Sequence, residues 1–169
     1  MAIVLDGTSG ITTPALDSVA RFASADMPLG SVLQVVNATT STQVVSSSST
    51  FADTGLTASI TPTSASSKIL VLVNQAGCGK QNTDTYLYLR LVRGATVISD
   101  FERFAGYNAA STNNFIGSCS VCFLDSPATT SATTYKTQLA SGNNTSQVYT
   151  QVTSLTASMS TITLMEIAA

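Results

Sequence analysis

The run Lys68-Ile69-Leu70-Val71-Leu72-Val73 constrains this chain more than any other stretch. It follows Thr61-Pro62-Thr63-Ser64-Ala65-Ser66-Ser67, whose proline and small polar residues read as a connection. Five consecutive apolar residues rich in Val and Ile predict a strand over Lys68–Gln75. Side chains alternate across a strand, so Ile69, Val71 and Val73 share one face and Leu70 and Leu72 the other. Both faces are apolar and both need a cover. In an antiparallel all-β protein, one face meets the core of a sandwich and the other is free to meet a neighbouring subunit.

The chain from Gly30 onward carries the same kind of signal repeatedly. Further strands are predicted over Ser31–Val36, Gln43–Phe51, Thr57–Ile60, Thr85–Arg93, Thr96–Glu102, Phe115–Leu124, Thr134–Leu139, Gln147–Val152 and Thr161–Ile167. Within Thr85–Arg93, Leu87, Leu89 and Leu91 alternate with Tyr86, Tyr88 and Arg90. The leucines belong to the core, and the tyrosines and arginine face solvent or a partner. Arg93-Gly94 marks a tight hairpin. Ten short strands without a long helix predict an all-β antiparallel jelly-roll sandwich. The polar connections Gly77–Asp84, Arg103–Asn114, Ser126–Thr133 and Ser141–Ser146 should cluster at its ends.

Residues 1–30 differ. Asp6-Gly7-Thr8-Ser9-Gly10 is turn-like, and Thr13 with Pro14 can open a short helix over Pro14–Ala23. That helix is shorter than the ~12–15 residues an isolated helix needs, so it must dock. Ile3, Leu5, Ile11, Leu16, Val19 and Phe22 are too apolar for a free tail. The expected organisation is therefore a docking arm at 1–30, including a helical turn or short helix, and a sandwich domain at 31–169.

Only 9% of the 169 residues are charged, and the formal net charge is -2. Ser and Thr fill the gap with 50 residues. Such a surface is wet but weakly self-repelling, which suits a protein held in a fixed assembly. With seven Lys plus Arg there is no basic patch for nucleic acid or anionic membranes. No apolar run approaches the ~20 residues of a spanning helix. Asp6 interrupts Met1–Leu5 and no basic segment precedes it, so no signal peptide is expected, and three cysteines agree with a reducing cytosol during synthesis.

The chemistry available is narrow. No histidine is present, which excludes Ser-His-Asp, Cys-His and His-metal sites. Cys119-Ser-Val-Cys122 lies inside a strand-like run, where residues three apart face opposite sides. A zinc site there would need a carboxylate, and buried apolar thiols are the simpler reading. Gly77-Cys78-Gly79-Lys80-Gln81 lacks the first glycine and the final Ser/Thr of a phosphate loop and reads as a hairpin turn. Asp100 and Glu102 would share one strand face, as a solvated strand end near Arg103 rather than a glycosidase pair. Asp53, Asp84 and Asp125 are scattered, and a calcium site would need them to converge. The Asn-X-Ser/Thr triplets at Asn37, Asn143 and Asn144 carry no meaning for a chain made and used in a reducing cytosol. No metal, cofactor or enzymatic activity is expected. Loop residues Tyr107, Asn108, Asn113, Asn114, Asn143 and Asn144, with Phe115, combine hydrogen bonding with rigid apolar area and are the candidate partner or receptor contacts.

Several segments resemble one protein class. Leu5-Asp6-Gly7-Thr8-Ser9-Gly10-Ile11 resembles the leader of bacteriophage tail-fibre and related virion proteins. Met27–Val36, Asp53–Pro62 with Ser66–Ile69, Phe123–Pro127 with Thr134–Lys136, and Ser160–Ile167 resemble a module common in them. The resemblance covers most of the chain outside Gln75–Asn114. It implies a non-enzymatic structural protein of a tailed-phage virion. The order of strands also resembles tumour-necrosis-factor-like jelly rolls, which implies a homotrimer with Lys68–Gln75 or Thr161–Ile167 near the threefold axis. Two roles are expected of such a protein. As a short tail fibre or fibre tip it would present loops to a host surface glycan or protein. As a capsid decoration protein it would use its arm to clamp adjacent shell subunits. Tail fibres usually carry an attachment domain and shaft before such a module, and only 1–30 precedes it here. Either role places the protein on the virion, tail or capsid, after synthesis in the bacterial cytoplasm.

Overall fold

A computed structural model describes residues 4–6, 10–12, 27–81, 84–109, 113–153 and 157–169, the first two segments as backbone. Among the described residues there is no helix. The expected helix at 14–23 lies outside them, as do Ile3, Leu16, Val19 and Phe22. Strands β1 (Val4–Asp6) and β2 (Gly10–Thr12) form a separate antiparallel pair with Leu5 opposite Ile11 and Asp6 opposite Gly10.

The other strands are β3 (Val32–Thr40), β4 (Val44–Ser46), β5 (Ala52–Ile60), β6 (Lys68–Lys80), β7 (Leu87–Arg93), β8 (Thr96–Ala105), β9 (Asn114–Asp125), β10 (Thr133–Ser141), β11 (Val148–Thr150) and β12 (Ser160–Ile167). They form two antiparallel sheets. One is ordered β5-β10-β7-β8. The other is ordered β3-β12-β6-β11-β4, with β9 on the free side of β6. Sequence neighbours β5 and β6, and β8 and β9, sit in opposite sheets, which is the strand exchange of a jelly roll. The chain enters the sandwich at Gly30, whose amide bonds the Ala168 carbonyl (2.9 Å). The two-residue turn Gly94-Ala95 closes the β7–β8 hairpin, with Arg93 opposite Thr96 and Gly94 at φ +57°.

Three segments depart from the sequence reading. Gly77–Lys80 is not a turn: it prolongs β6 to 13 residues. Gly77, at φ +60°, sits in a bulge between Gln75 and Cys78, and a bulge at Gly117 on β9 (φ +95°) compensates it. Gly79 lies under the Tyr149 ring, where a Cβ would fall 2.4 Å from it. Strand β5 likewise runs through Asp53-Thr54-Gly55, where Gly55 (φ +81°) occupies a register shift against β10. Conversely, the run expected over Gln43–Phe51 pairs only at Val44–Ser46. Beyond it the Ser46 hydroxyl accepts from the Ser48 amide, and Ser48 from Thr50. These local bonds offer the backbone an alternative to the ladder.

The core lies between the sheets in two apolar clusters. One contains Leu56, Ile60, Ile69, Val71, Val73, Leu91, Tyr135, Ile162 and Leu164. The other contains Cys78, Leu87, Leu89, Cys119, Leu139 and Val148. Between them runs a buried polar rung. The Thr54 hydroxyl contacts that of Thr137, Thr137 donates to Gln75 Oε1 (2.7 Å), and Gln75 Nε2 donates to Ser160 Oγ (3.1 Å). Two further ties cross the sheets at opposite ends. Asp125 of β9 accepts from Arg93 (2.7 and 2.8 Å) and from the buried Tyr135 hydroxyl (2.7 Å). Burial and the Asp125 carboxylate push the Tyr135 phenol well above its usual range. At the far end the fully buried Lys80 reaches Asn108, which follows β8.

Glu166, near the end of β12, ties β3 and the β5–β6 connection together. It is buried, and its carboxylate accepts from Gln34 (2.6 Å) and from the amide and hydroxyl of Thr63 (both 2.7 Å). Burial alone would raise its pKa, but these hydrogen bonds outweigh it and hold the carboxyl below its ordinary 4.5. A depressed folded-state pKa stabilises the fold above the ordinary value and stops doing so as pH falls through the folded one. Glu166→Gln should therefore cost about 1–3 kcal/mol at neutral pH. Urea titrations should show the gap between variant and wild type closing as the pH drops below 4.5.

Candidate functional site

The alternation in β7 buries Leu87, Leu89 and Leu91 and turns Tyr86, Tyr88 and Arg90 to the outer face of the four-stranded sheet. Strand β8 adds to the same face through irregular pairing. Leu87 pairs with Ala105 and Leu89 with Glu102, so an extra residue is accommodated around Arg103 and Phe104. Phe104 stands at φ +65°. Both Arg103 and Phe104 are exposed, where strict alternation would bury one of them. The result is an aromatic cluster. Tyr86 packs on Phe104 (4.5 Å between centroids), Tyr88 (4.9 Å) and Tyr107 (5.9 Å), and Phe51 lies 6.3 Å from Tyr88. Gly142 makes room for it, since a Cβ there would fall 2.3 Å from the Tyr86 ring.

Beside the cluster lies a groove of about 290 Å³ formed by Phe51, Tyr88, Arg90, Val97, Asp100, Glu102 and Arg103, with Leu89 beneath. Arg90 is fixed: its guanidinium sits 3.8 Å over the Phe51 ring and its Nε donates to Gln138 (2.8 Å). Arg103 lies 5.3 Å from the Tyr88 ring centre. Asp100 is opposite Arg90 in the ladder. Asp100 and Glu102 do line one face, as their spacing indicated, but that face is a groove rather than a bare strand end. Among the described residues neither carboxylate makes a hydrogen bond or ion pair.

The loop residues singled out from the sequence divide. Tyr107 joins the aromatic cluster and donates to Asp84 (3.2 Å). Asn108 binds Lys80, and Asn114 donates to the Gly106 carbonyl (2.9 Å). Asn143 Oδ1 accepts from the amides of Thr145 and Ser146, which is a turn-building role. Asn144, at φ +60°, accepts from Ser49 (2.8 Å). Asn113 is exposed. Thus four of the five asparagines build loops, and Tyr107 alone touches the cluster. The three aspartates do not converge. Asp53 pairs with Lys136 (2.8 Å) and Gln138 (2.6 Å), Asp125 with Arg93, and Asp84 with Tyr107.

The outer face of the six-stranded sheet differs in kind. Val35, Met165, Leu70 and Leu124 are aligned across β3, β12, β6 and β9. The next row is Asn37, Thr163, Leu72 and Cys122, and the one after is Thr39, Thr161, Asn74 and Ser120. None of the twelve carries a charge. Val35 (56% exposed) and Leu124 (51%) are open, and Leu70 and Leu72 are half-buried. Cys119 and Cys122 face opposite sides, as their spacing requires. Cys119 is buried near Cys78, whereas Cys122 is exposed, so it does not share the buried state expected of all three thiols. It stands opposite Leu72 on the outer face, which no second sheet covers among the described residues.

Substituting Gly142→Ala should push Tyr86 off its neighbours. Far-UV circular dichroism should stay unchanged while the near-UV tyrosine signal collapses. No protein-family model matches this chain, and no curated protein sequence matches it, so the assignment of the groove rests on its own side chains.

Proposed function

We propose that this chain is a non-enzymatic structural protein of a tailed-phage virion. In this reading it is a homotrimeric jelly-roll module of a short tail fibre or fibre tip that presents its surface to the host. The observation that carries the reading is the contrast between the two outward faces. One is the uncharged band of Val35, Met165, Leu70 and Leu124. The other is the aromatic and charged face around Tyr88. Lys68 flanks this band on β6, but the band itself has no like charges to repel a second copy and no charge with which to select a charged partner. Copies of the same chain are its simplest cover. The phage resemblance of Leu5–Ile11 and of the segments flanking the strands supports the virion setting. The second role, a decoration protein clamping adjacent capsid subunits, draws support from the antiparallel pair of β1 and β2. It forms its own sheet, separate from the sandwich.

Light scattering at micromolar concentration should give three times 17.4 kDa. Leu124→Asp, which would place a charge in the band, should give the monomer mass. Cys122 sits in the adjoining row, so maleimide should label it slowly in the trimer and fast in Leu124→Asp. A wild-type monomer with fast-reacting Cys122 removes the trimer. Antibody labelling of intact particles should mark the tail end for a fibre and the whole shell for a decoration protein. Label on neither removes the virion reading.

A further inference from the structure

The groove beside Tyr88 has a lining whose chemistry narrows its ligand. Its charged residues are Arg90, Arg103, Asp100 and Glu102, two cations and two anions. A phosphate or carboxylate bound here would meet two carboxylates. An ammonium would meet two guanidiniums. A group that both donates and accepts satisfies all four, and the simplest such group is a hydroxyl. The remaining lining is Phe51, Tyr88 and Val97, which offers apolar area beside the charges. A ligand with hydroxyls at its rim and an apolar C–H face fits both parts. The volume, about 290 Å³, lies at the small end of ligand pockets, which run from roughly 300 Å³ upward.

The groove is also built before any ligand arrives. Arg90 is held by Phe51 and Gln138, and Tyr88 by Tyr86 and Phe104 (6.0 Å). Side chains already fixed cost little further entropy on binding. Asp100 and Glu102, without hydrogen bonds among the described residues, keep their acceptor sites open.

We propose that this groove binds a neutral saccharide, one or two sugar rings at a time, on the sheet face rather than at the loop tips. Ring C–H bonds rest on the aromatic lining, and hydroxyls bridge the Asp100 and Glu102 carboxylates to the Arg90 and Arg103 guanidiniums. The inference deepens the host-surface role and rests on it only for the source of the sugar.

The test is calorimetric titration of the full chain with neutral methyl hexosides and their short oligosaccharides. Sialylated oligosaccharides and a lysine-rich peptide serve as comparison probes. Binding of a neutral saccharide is expected, weakened about tenfold or more by Asp100→Asn, since a hydrogen bond to a charged group is worth about 1.5–3 kcal/mol. Tyr88→Ala should weaken it similarly, with the melting temperature of each variant measured alongside. Failure of every neutral saccharide at millimolar concentration overturns the inference. So does binding that Asp100→Asn leaves untouched, or binding confined to the sialylated probes or the peptide. Any of these with trimer mass and particle labelling intact leaves the virion reading standing. Saccharide binding by a chain absent from the particle overturns that reading and not this one.

Discussion

Two sheets packed only through aliphatic side chains can settle in more than one relative position, because apolar contact is non-directional. Here hydrogen bonds remove that freedom. The rung from Thr54 through Thr137 and Gln75 to Ser160 crosses the middle of the core. Asp125 with Arg93 and Tyr135 closes one end, and Lys80 with Asn108 the other. A buried polar group left unpaired costs about 1–3 kcal/mol, so sliding one sheet past the other would forfeit several such bonds at once. The two apolar clusters are the compartments these ties leave between them. The outer faces inherit the same precision, because the position of Leu89 in the core decides where Tyr88 and Arg90 stand outside it.

This dependence explains which parts of the fold the sequence displays. The alternation of Leu87, Leu89 and Leu91 with Tyr86, Tyr88 and Arg90 is local, and it shows both faces of β7 directly. The unbroken run Ile69–Val73 shows that β6 is central, and β12 and β9 pair with it on its two sides. Glycine is harder to read. In Gly94 it makes the turn it suggests, but in Gly77 and Gly55 the same freedom at positive φ serves bulges inside strands. Gly79 has a further reason, the Tyr149 ring across the ladder, and that partner is 70 residues away in sequence. Serine is ambiguous in the opposite direction. Ser46 and Ser48 turn their hydroxyls to their own backbone and end a strand expected to run on to Phe51.

The groove was legible only in fragments. Tyr88, Arg90, Asp100 and Glu102 each carry a period-two signal that places them outward, and Arg103 is adjacent to them. Their meeting depends on the β7–β8 register and on the bulge that turns Phe104, neither of which has a pattern in the sequence. Phe51 arrives from the segment before β5, beyond the reach of local reasoning. The asparagine-rich connections show a composition that serves several structural ends: Asn143 builds its own turn, while Asn108, Asn114 and Asn144 bond to other segments. Asn143 Oδ1 accepts from its own turn and Asn144 Oδ1 from Ser49, 95 residues earlier in the chain, a partner that composition does not show.

The two outer faces differ in their side chains and in the regularity of their ladders. On the six-stranded sheet, the small and aliphatic side chains of the three rows stand in line and carry no charge; Lys68 lies one row beyond them and the bulges at Gly77 and Gly117 fall outside them. On the four-stranded sheet, bulges break the rows, bring consecutive side chains to one face and create a concavity. A regular ladder favours broad contact with another flat surface, whereas an interrupted one makes room for a small molecule and aims polar groups at it. The bulge at Phe104 is thus more than an accommodation of sequence: it brings Arg103 to the outer face and converts part of a sheet, which is naturally an interface, into part of a pocket.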